Sequence, residues 1–352
     1  MVNFCSDNAS GAAPEILRAL EAASQGSAMP YGNDELTRRV EARLKDVFET
    51  DCAAFPVATG TAANVLSLSV MVPPYGAIYC HAESHIEVDE CGAPEFYTGG
   101  AKLVLLPGEH GKFSPDDLAA AIKGAGNVHA VQPAAVSLTN ATEAGTVYTP
   151  DEIGAIAAVA RSHGLGLHVD GARFANALVS LGCTPAEATW KSGVDALSFG
   201  ATKNGALGVE AVVLFKPGLA EALPYRRKRG GHLFSKMRFL SAQLDAYLTD
   251  DLWLRNARHA NAMAARLAEG LAELPGVEFC HPVEANEIFA RLPEAMIGGL
   301  LDAGFEFYRW GPEENRELRL VTSFNTDPGD VERFLATARE LAEGATSGRA
   351  RA

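Results

Sequence analysis

The chain has 352 residues, 47% of them hydrophobic and 21% charged, with a net charge of −14 and a pI near 5.1. That is enough apolar material for a large domain plus a smaller one, and so acidic a chain is a poor partner for nucleic acid or an anionic membrane surface. No apolar run approaches the roughly 20 residues needed to span a bilayer. The opening Met1-Val2-Asn3-Phe4-Cys5-Ser6-Asp7 lacks the basic and apolar regions of a signal peptide. Six scattered cysteines (Cys5, Cys52, Cys80, Cys91, Cys183, Cys280) contain no CxxC pair. A cytoplasmic setting is therefore expected, without a disulfide framework or a zinc site.

From residue 53 onward, short apolar runs alternate with helical patterns. Residues 53–57 predict a strand that passes through Thr59-Gly60-Thr61 into a helix over 62–72. Residues 78–80, 103–106, 134–138, 165–169 and 196–199 predict further strands. Several are apolar throughout, as strands covered by helices on both faces must be. Ser114-Pro115-Asp116-Asp117, Thr149-Pro150-Asp151-Glu152 and Thr184-Pro185-Ala186-Glu187 each order a hydroxyl cap, a proline and an acid as a helix start requires. The alternation implies an α/β fold with a mainly parallel, doubly wound sheet. Residues 217–275 read as wholly helical, with one long segment over 251–274. Beyond Pro275-Gly276, runs at 277–279 and 318–321 predict strands of a small α+β unit that closes on a helix over 330–343. The expected organisation is a large domain over 1–250, a small C-terminal domain over 251–345, and a flexible tail over 346–352.

Four elements carry candidate chemistry. In Leu167-His168-Val169-Asp170-Gly171-Ala172-Arg173 an apolar strand ends in an acid, and ligands of open parallel sheets gather at the carboxyl ends of strands. Asp170 is either a site acid or an acid that caps the following helix or pairs with Arg173. Lys203, in Ala201-Thr202-Lys203-Asn204-Gly205, follows the next strand among small residues that let a flat ring approach. It is either an imine-forming amine or an ordinary solvated lysine. Thr59-Gly60-Thr61 opens a helix whose N–H groups suit a phosphate, or simply caps it; no Walker motif or GxGxxG is present. His85, in His81-Ala82-Glu83-Ser84-His85, is either a group that stacks on a ring and exchanges protons or an ordinary loop histidine, with His81 as competitor. A metal site of His81, Glu83 and His85 lacks a matching partner cluster. Together the four supply a phosphate seat, a stacking group, a ring-nitrogen acid and an imine lysine, which are the parts that hold pyridoxal phosphate.

With these residues the chain resembles the threonine aldolase / β-eliminating lyase group of enzymes with the aspartate-aminotransferase fold (pyridoxal-phosphate fold type I). The likeness runs from Ser6-Asp7-Asn8 through Tyr31-Gly32-Asn33-Asp34, Thr59-Gly60-Thr61, Ala82-Glu83-Ser84-His85, His168–Arg173 and Lys203 to Leu318-Arg319-Leu320-Val321-Thr322. The resemblance implies that Lys203 bonds the cofactor, Asp170 pairs with its pyridine nitrogen and His85 stacks on its ring. Gly60 and Thr61 hold the phosphate. Ser6, Arg173 and Arg319 grip the substrate carboxylate, Arg173 bordering the cofactor as well. His129 stands near the substrate's β-hydroxyl, sharing with His85 the candidacy for catalytic base. Tyr31 reaches in from a neighbouring subunit of a homo-oligomer, a dimer or, as the group's usual form suggests, a homotetramer. The implied activity is cleavage of β-hydroxy-α-amino acids such as L-threonine, L-allo-threonine and phenylserine to glycine and an aldehyde. β-Elimination or transamination with the same cofactor, and nucleotide binding without it, are the rival readings.

The chain departs from the group at three places. Cys5 stands where an arginine is usual, Thr139-Asn140-Ala141-Thr142-Glu143 replaces a common Glu-Asn-Thr-His-Asn, and Gly230-Gly231-His232-Leu233-Phe234-Ser235-Lys236 replaces a glycine-rich stretch ending in arginine. The last leaves Lys228, His232, Ser235 and Lys236 as candidates to complete the phosphate site.

Overall fold

The computed structural model describes residues 2–349. After a short first strand, β1 (Val2–Asn3), come β2 (Ala53–Val57), β3 (Gly76–His81), β4 (Lys102–Leu106), β5 (Gln132–Thr139), β6 (Gly166–Gly171), β7 (Ala196–Gly200) and β8 (Glu210–Leu214). Strands β2 to β8 form one seven-stranded sheet in the order β2-β8-β7-β6-β5-β3-β4. β7, β6, β5, β3 and β4 run parallel, and β8 is antiparallel to both of its neighbours. Every residue of β3, β7 and β8 is buried, which accounts for unbroken apolar runs rather than alternation. The six strands expected from the sequence are all present. β8 is additional: it follows β7 after the single 3₁₀ turn Thr202–Asn204, with no helical pattern between the two to mark a new strand.

Helices Pro115–Ala121 and Pro150–Ser162 start with complete capping boxes at Ser114 and Thr149. Thr184 makes the same reciprocal bonds with Glu187, at 2.8 and 3.2 Å, yet the chain holds only a turn there. Thr189 bends its hydroxyl back to the Pro185 carbonyl, and the Trp190 indole donates to the Phe48 carbonyl. The segment tightens into the single 3₁₀ turn Trp190–Ser192 instead of propagating.

A second sheet uses β9 (Glu278–Phe279), β10 (Glu287–Arg291), β12 (Tyr308–Trp310) and β13 (Glu317–Val321), in the order β12-β13-β10-β9, while β11 (Phe305–Glu306) pairs in parallel with β1. Val2 and Phe4 therefore pack in the C-terminal core beside Phe305, Leu320 and Phe334. The long helix Leu252–Ala272 serves both cores: Leu252, Trp253 and Ala257 face the first, and Met263, Leu267 and Leu271 the second. The closing helix spans Pro328–Arg349, beyond the expected end at 343, and residues 350–352 of the expected tail lie outside the described residues. No described helix is long and apolar enough to cross a membrane.

The carboxyl ends of β6 and β7 approach so closely that side chains are excluded. A Cβ at Gly200 would lie 2.4 Å from the Ala172 carbonyl oxygen, and one at Gly171 would lie 2.7 Å from that of Ser198. Below this contact, His168 is fully buried with its ring nitrogens 2.9 Å from Ser137 Oγ on β5 and from Ser198 Oγ on β7. One serine donates and the other accepts, so the neutral ring ties three strands together beneath Asp170.

Burial lowers the His168 pKa from 6.5 to about 4, against the opposing pull of Asp170. The unfolded chain then takes up a proton between pH 6.5 and 4 that the folded chain refuses. The stabilisation is complete above about pH 6.5 and is lost as pH falls toward 4, by an amount on the order of 3 kcal/mol. Urea unfolding of wild type and His168→Gln across this window should show a steeper acid loss in wild type. Parallel curves would refute the assignment.

Candidate active site

Four parallel strands end side by side at His81, Thr139, Gly171 and Gly200. Asp170, one residue before the end of β6, is buried, and both of its oxygens are engaged. Oδ1 accepts the Ala172 N–H at 2.9 Å and Oδ2 accepts Asn64 Nδ2 at 2.6 Å. The same Asn64 nitrogen donates to Glu90 Oε1 at 2.9 Å, and that oxygen lies 2.8 Å from His85 Nδ1. Asp170, Asn64, Glu90 and His85 thus form one hydrogen-bonded chain. The bond to Glu90 raises the His85 pKa, burial opposes it, the Asp170 charge adds to it and the Lys203 charge opposes it. His85 is anchored by its backbone too, where its N–H donates to Glu143 Oε1 at 2.7 Å.

His81 does not compete. It is buried, its Nδ1 accepts the Glu83 N–H at 3.1 Å and its Nε2 lies 3.3 Å from the Gly108 carbonyl oxygen, so it shapes the turn. Among the described residues, the three side chains close enough to share a cation are His85, Glu90 and Asp170. Asn64 and the direct His85–Glu90 bond already occupy the facing atoms.

Lys203 projects from the 3₁₀ turn Thr202–Asn204 that follows β7. The turn is fixed by its neighbours. Asn204 Nδ2 donates to Tyr247 Oη and to the Trp253 carbonyl, and Thr202 Oγ1 accepts the Val209 N–H. Lys203 itself is half-buried and has no hydrogen bond or ion pair among the described residues. Its charge acts on Asp7, His85 and Glu210. Glu210 opens β8 and accepts the Ala201 N–H at 2.7 Å, and burial pushes its pKa up to about 7.

Helix Gly60–Met71 begins beside this group. Thr59 Oγ1 accepts the Ala62 N–H, which leaves the N–H groups of Gly60 and Thr61 without partners among the described residues. Space beside Gly60 is open, with nothing within 4 Å of a Cβ built there. Ser6 Oγ caps the short turn Asp7–Ala9, which packs on the Lys203 turn. Arg173 is buried, with Nε and Nη2 on the two oxygens of Asp7 at 2.7 and 3.0 Å. Its Nη1 lies 3.0 Å from Glu287 Oε2, while Arg319 gives Nε and Nη2 to Glu287 Oε1 at 3.1 and 2.5 Å.

Other expected residues lie elsewhere in the chain. His129 is exposed in the loop before β5. It therefore stands at the amino edge of the sheet, separated from the carboxyl edge by the eight residues of the strand, on the order of 25 Å. Tyr31 is 45% exposed, with its N–H on the Ser235 carbonyl and its ring under Lys228 at 4.8 Å. Ser235 and Lys236 are exposed. His232 is half-buried with Nε2 2.8 Å from Tyr97 Oη.

The residues present fit pyridoxal phosphate. Free helix N–H groups, open space at Gly60, an unpartnered lysine and a rigidly held carboxylate share one edge. Around them Asn64 Oδ1, Ser84 Oγ, Glu90 Oε2 and Glu143 Oε2 are buried polar atoms without partners, the signature of a site that awaits a polar ligand. Asn64 and Glu287 have no local sequence signal, since each matters through residues distant in the chain, and Glu90, though only five residues from His85, joins the group through Asn64. Glu143 was visible only as a departure from the family pattern. Its Oε1 accepts the Thr139 hydroxyl at 2.9 Å, and burial followed by the Asp170 charge brings its pKa to about 7.

A profile of the beta-eliminating lyase family matches residues 3–295. The chain is 46% identical over 338 residues to the low specificity L-threonine aldolase of Pseudomonas aeruginosa, covering 96% of each protein. It is 25% identical over 287 residues to the enzyme so named from Saccharomyces cerevisiae, covering 80% of this chain and 72% of that one. The solved threonine aldolase of Leishmania major superposes with a TM-score of 0.92 at 30% identity, over 97% of this chain and all of that one. With sheet order, site and sequence in agreement, the chain belongs to the beta-eliminating lyase family, within the fold of pyridoxal-phosphate enzymes of type I.

Proposed function

We propose that the protein is a pyridoxal-phosphate-dependent aldolase that cleaves β-hydroxy-α-amino acids, L-threonine, L-allo-threonine and aryl-serines such as phenylserine, to glycine and an aldehyde. One observation carries the reading. The charges of Asp170 and Lys203 both act on His85, beside an open helix N-terminus, in a chain that matches a low specificity L-threonine aldolase end to end.

When bound, pyridoxal phosphate supplies an electron sink for the pair released at Cα. Lys203 provides the amine that attaches it, and Gly60 and Thr61 offer N–H donors to its phosphate. Asp170, fixed by Asn64 and the Ala172 N–H, is the negative partner that keeps a proton on the pyridine nitrogen. Ser6, Arg173 and Arg319 orient the substrate carboxylate, which decides the bond that breaks. His85 covers the ring and accepts the β-hydroxyl proton, a task for which the higher pKa conferred by Glu90 suits it. Removal of that proton accompanies rupture of Cα–Cβ and release of the aldehyde; a proton returned to Cα gives glycine. Tyr31 reaches in from a neighbouring subunit, in a homodimer or homotetramer with shared sites, and one of Lys228, His232, Ser235 and Lys236 completes the phosphate seat. The six cysteines are all unpaired, which supports a reducing cytoplasm as the working environment.

Borohydride reduction of the holoenzyme should fix the cofactor on the peptide containing Lys203, and Lys203→Ala should abolish turnover. Label on another lysine would overturn the assignment. Asp170→Asn, nearly isosteric but uncharged, should retain cofactor while turnover falls by roughly 1,000-fold; near-normal turnover would make Asp170 structural. A third expectation concerns pH. His85 must be neutral to accept a proton, so the acid limb of kcat/KM should lie above the range of an ordinary histidine. Glu90→Gln removes the largest cause of the raised pKa and should move that limb to lower pH. An unmoved limb would exclude His85 as the base.

A further inference from the structure

We propose that Glu287 is a positioning residue for the substrate's α-carboxylate: it locks Arg319 and Arg173 into one array and tempers their attraction, so that the carboxylate is oriented rather than merely held. The proposal rests on the reading above in taking an α-amino acid as the substrate and Arg173 and Arg319 as the grip on its carboxylate.

The placement follows from strand register. Phe289 on β10 pairs with Arg319 on β13, so Glu287, two residues before Phe289, is the diagonal neighbour of Arg319 on the same sheet face. Glu287 is 1% exposed. One of its oxygens takes two N–H groups of Arg319, and the other approaches Arg173, whose remaining bonds run to Asp7. Asn286 secures Asp7 with a bond to Oδ2 at 3.1 Å. Arg319 also lies over the Trp310 ring at 5.3 Å. Its guanidinium is therefore fixed on one edge and one face, and its Nη1 has no partner among the described residues.

Two arginines and two carboxylates leave this cluster electrically balanced. An incoming carboxylate meets directed donors, not a surplus of positive charge. A buried group of four charges is seldom the most stable filling for its volume, and apolar side chains of similar size commonly do as well or better. Its place beside the turn that carries Lys203 fits a role in orienting an anion. Glu287 thus weakens carboxylate affinity while fixing geometry, and these two effects separate experimentally.

The test uses two variants of the holoenzyme, checked for thermal stability, with glycine and methylamine as probes in calorimetry. The two probes differ only in the carboxylate. Glu287→Gln removes the charge and loses the attraction to Arg173. Glycine should bind it severalfold more tightly than wild type, methylamine should bind equally, and kcat for L-threonine should fall about tenfold, so that KM and kcat fall together. Glu287→Asp keeps the charge but is one methylene too short to reach both arginines; kcat should fall similarly with no gain in glycine affinity. The proposal is overturned if both variants keep kcat within twofold, or if glycine and methylamine affinities change in parallel. If wild type releases no aldehyde from L-threonine the aldolase reading fails, while the comparison of glycine with methylamine still decides the role of Glu287.

Discussion

A single amide, Asn64 Nδ2, stands between two buried carboxylates and donates to both. Without it, Asp170 would keep only the Ala172 N–H and Glu90 only His85, and the two buried carboxyl groups would lose the donor that joins them. With it, Asp170 keeps a defined orientation and Glu90 remains available to His85. The amide comes from the helix that begins at Gly60, so the element with open N–H groups at its N-terminus also organises the acid at its side. The helix N-terminus, Asp170 and the His85 imidazole are thereby one connected unit.

This unit can be rigid because the sheet beneath it is. The pressed contact of Gly171 and Gly200, and the His168 ring strung between Ser137 and Ser198, hold β5, β6 and β7 at fixed spacing. Asp170 and the Lys203 turn sit directly above these contacts. Catalytic groups on strand ends gain precision from such a base, where groups on free loops would not.

The second charged cluster draws on every other part of the chain. Asp7 comes from the N-terminal turn, Arg173 from the end of β6, and Glu287 and Arg319 from the C-terminal sheet. The pairing of β1 with β11 and the burial of Val2 and Phe4 in the C-terminal core bring Asp7 into range. The geometry of this cluster depends on how the two cores meet, and the long helix Leu252–Ala272 packs into both.

The sequence by itself determined a good deal. Apolar runs long enough to be buried on both faces named six of the seven central strands, and hydroxyl–proline–acid starts named two helices that form as expected. Asp170 and Lys203 were legible because a polar residue at the end of an apolar strand stands out locally. Only the tertiary structure decided what surrounds them. Thr184 makes its capping bonds but starts no helix, because Thr189 and Trp190 find other partners. β8 is a strand because β2 and β7 offer it two edges. His129, well placed by resemblance, stands at the amino edge of its own sheet. Asn64 and Glu287 act through bonds to residues 26 to 114 positions away, and side chains that distant meet only after strand order and register are set. Local pattern is written in neighbouring residues; a hydrogen-bonded site is written in contacts that exist only once the chain has folded.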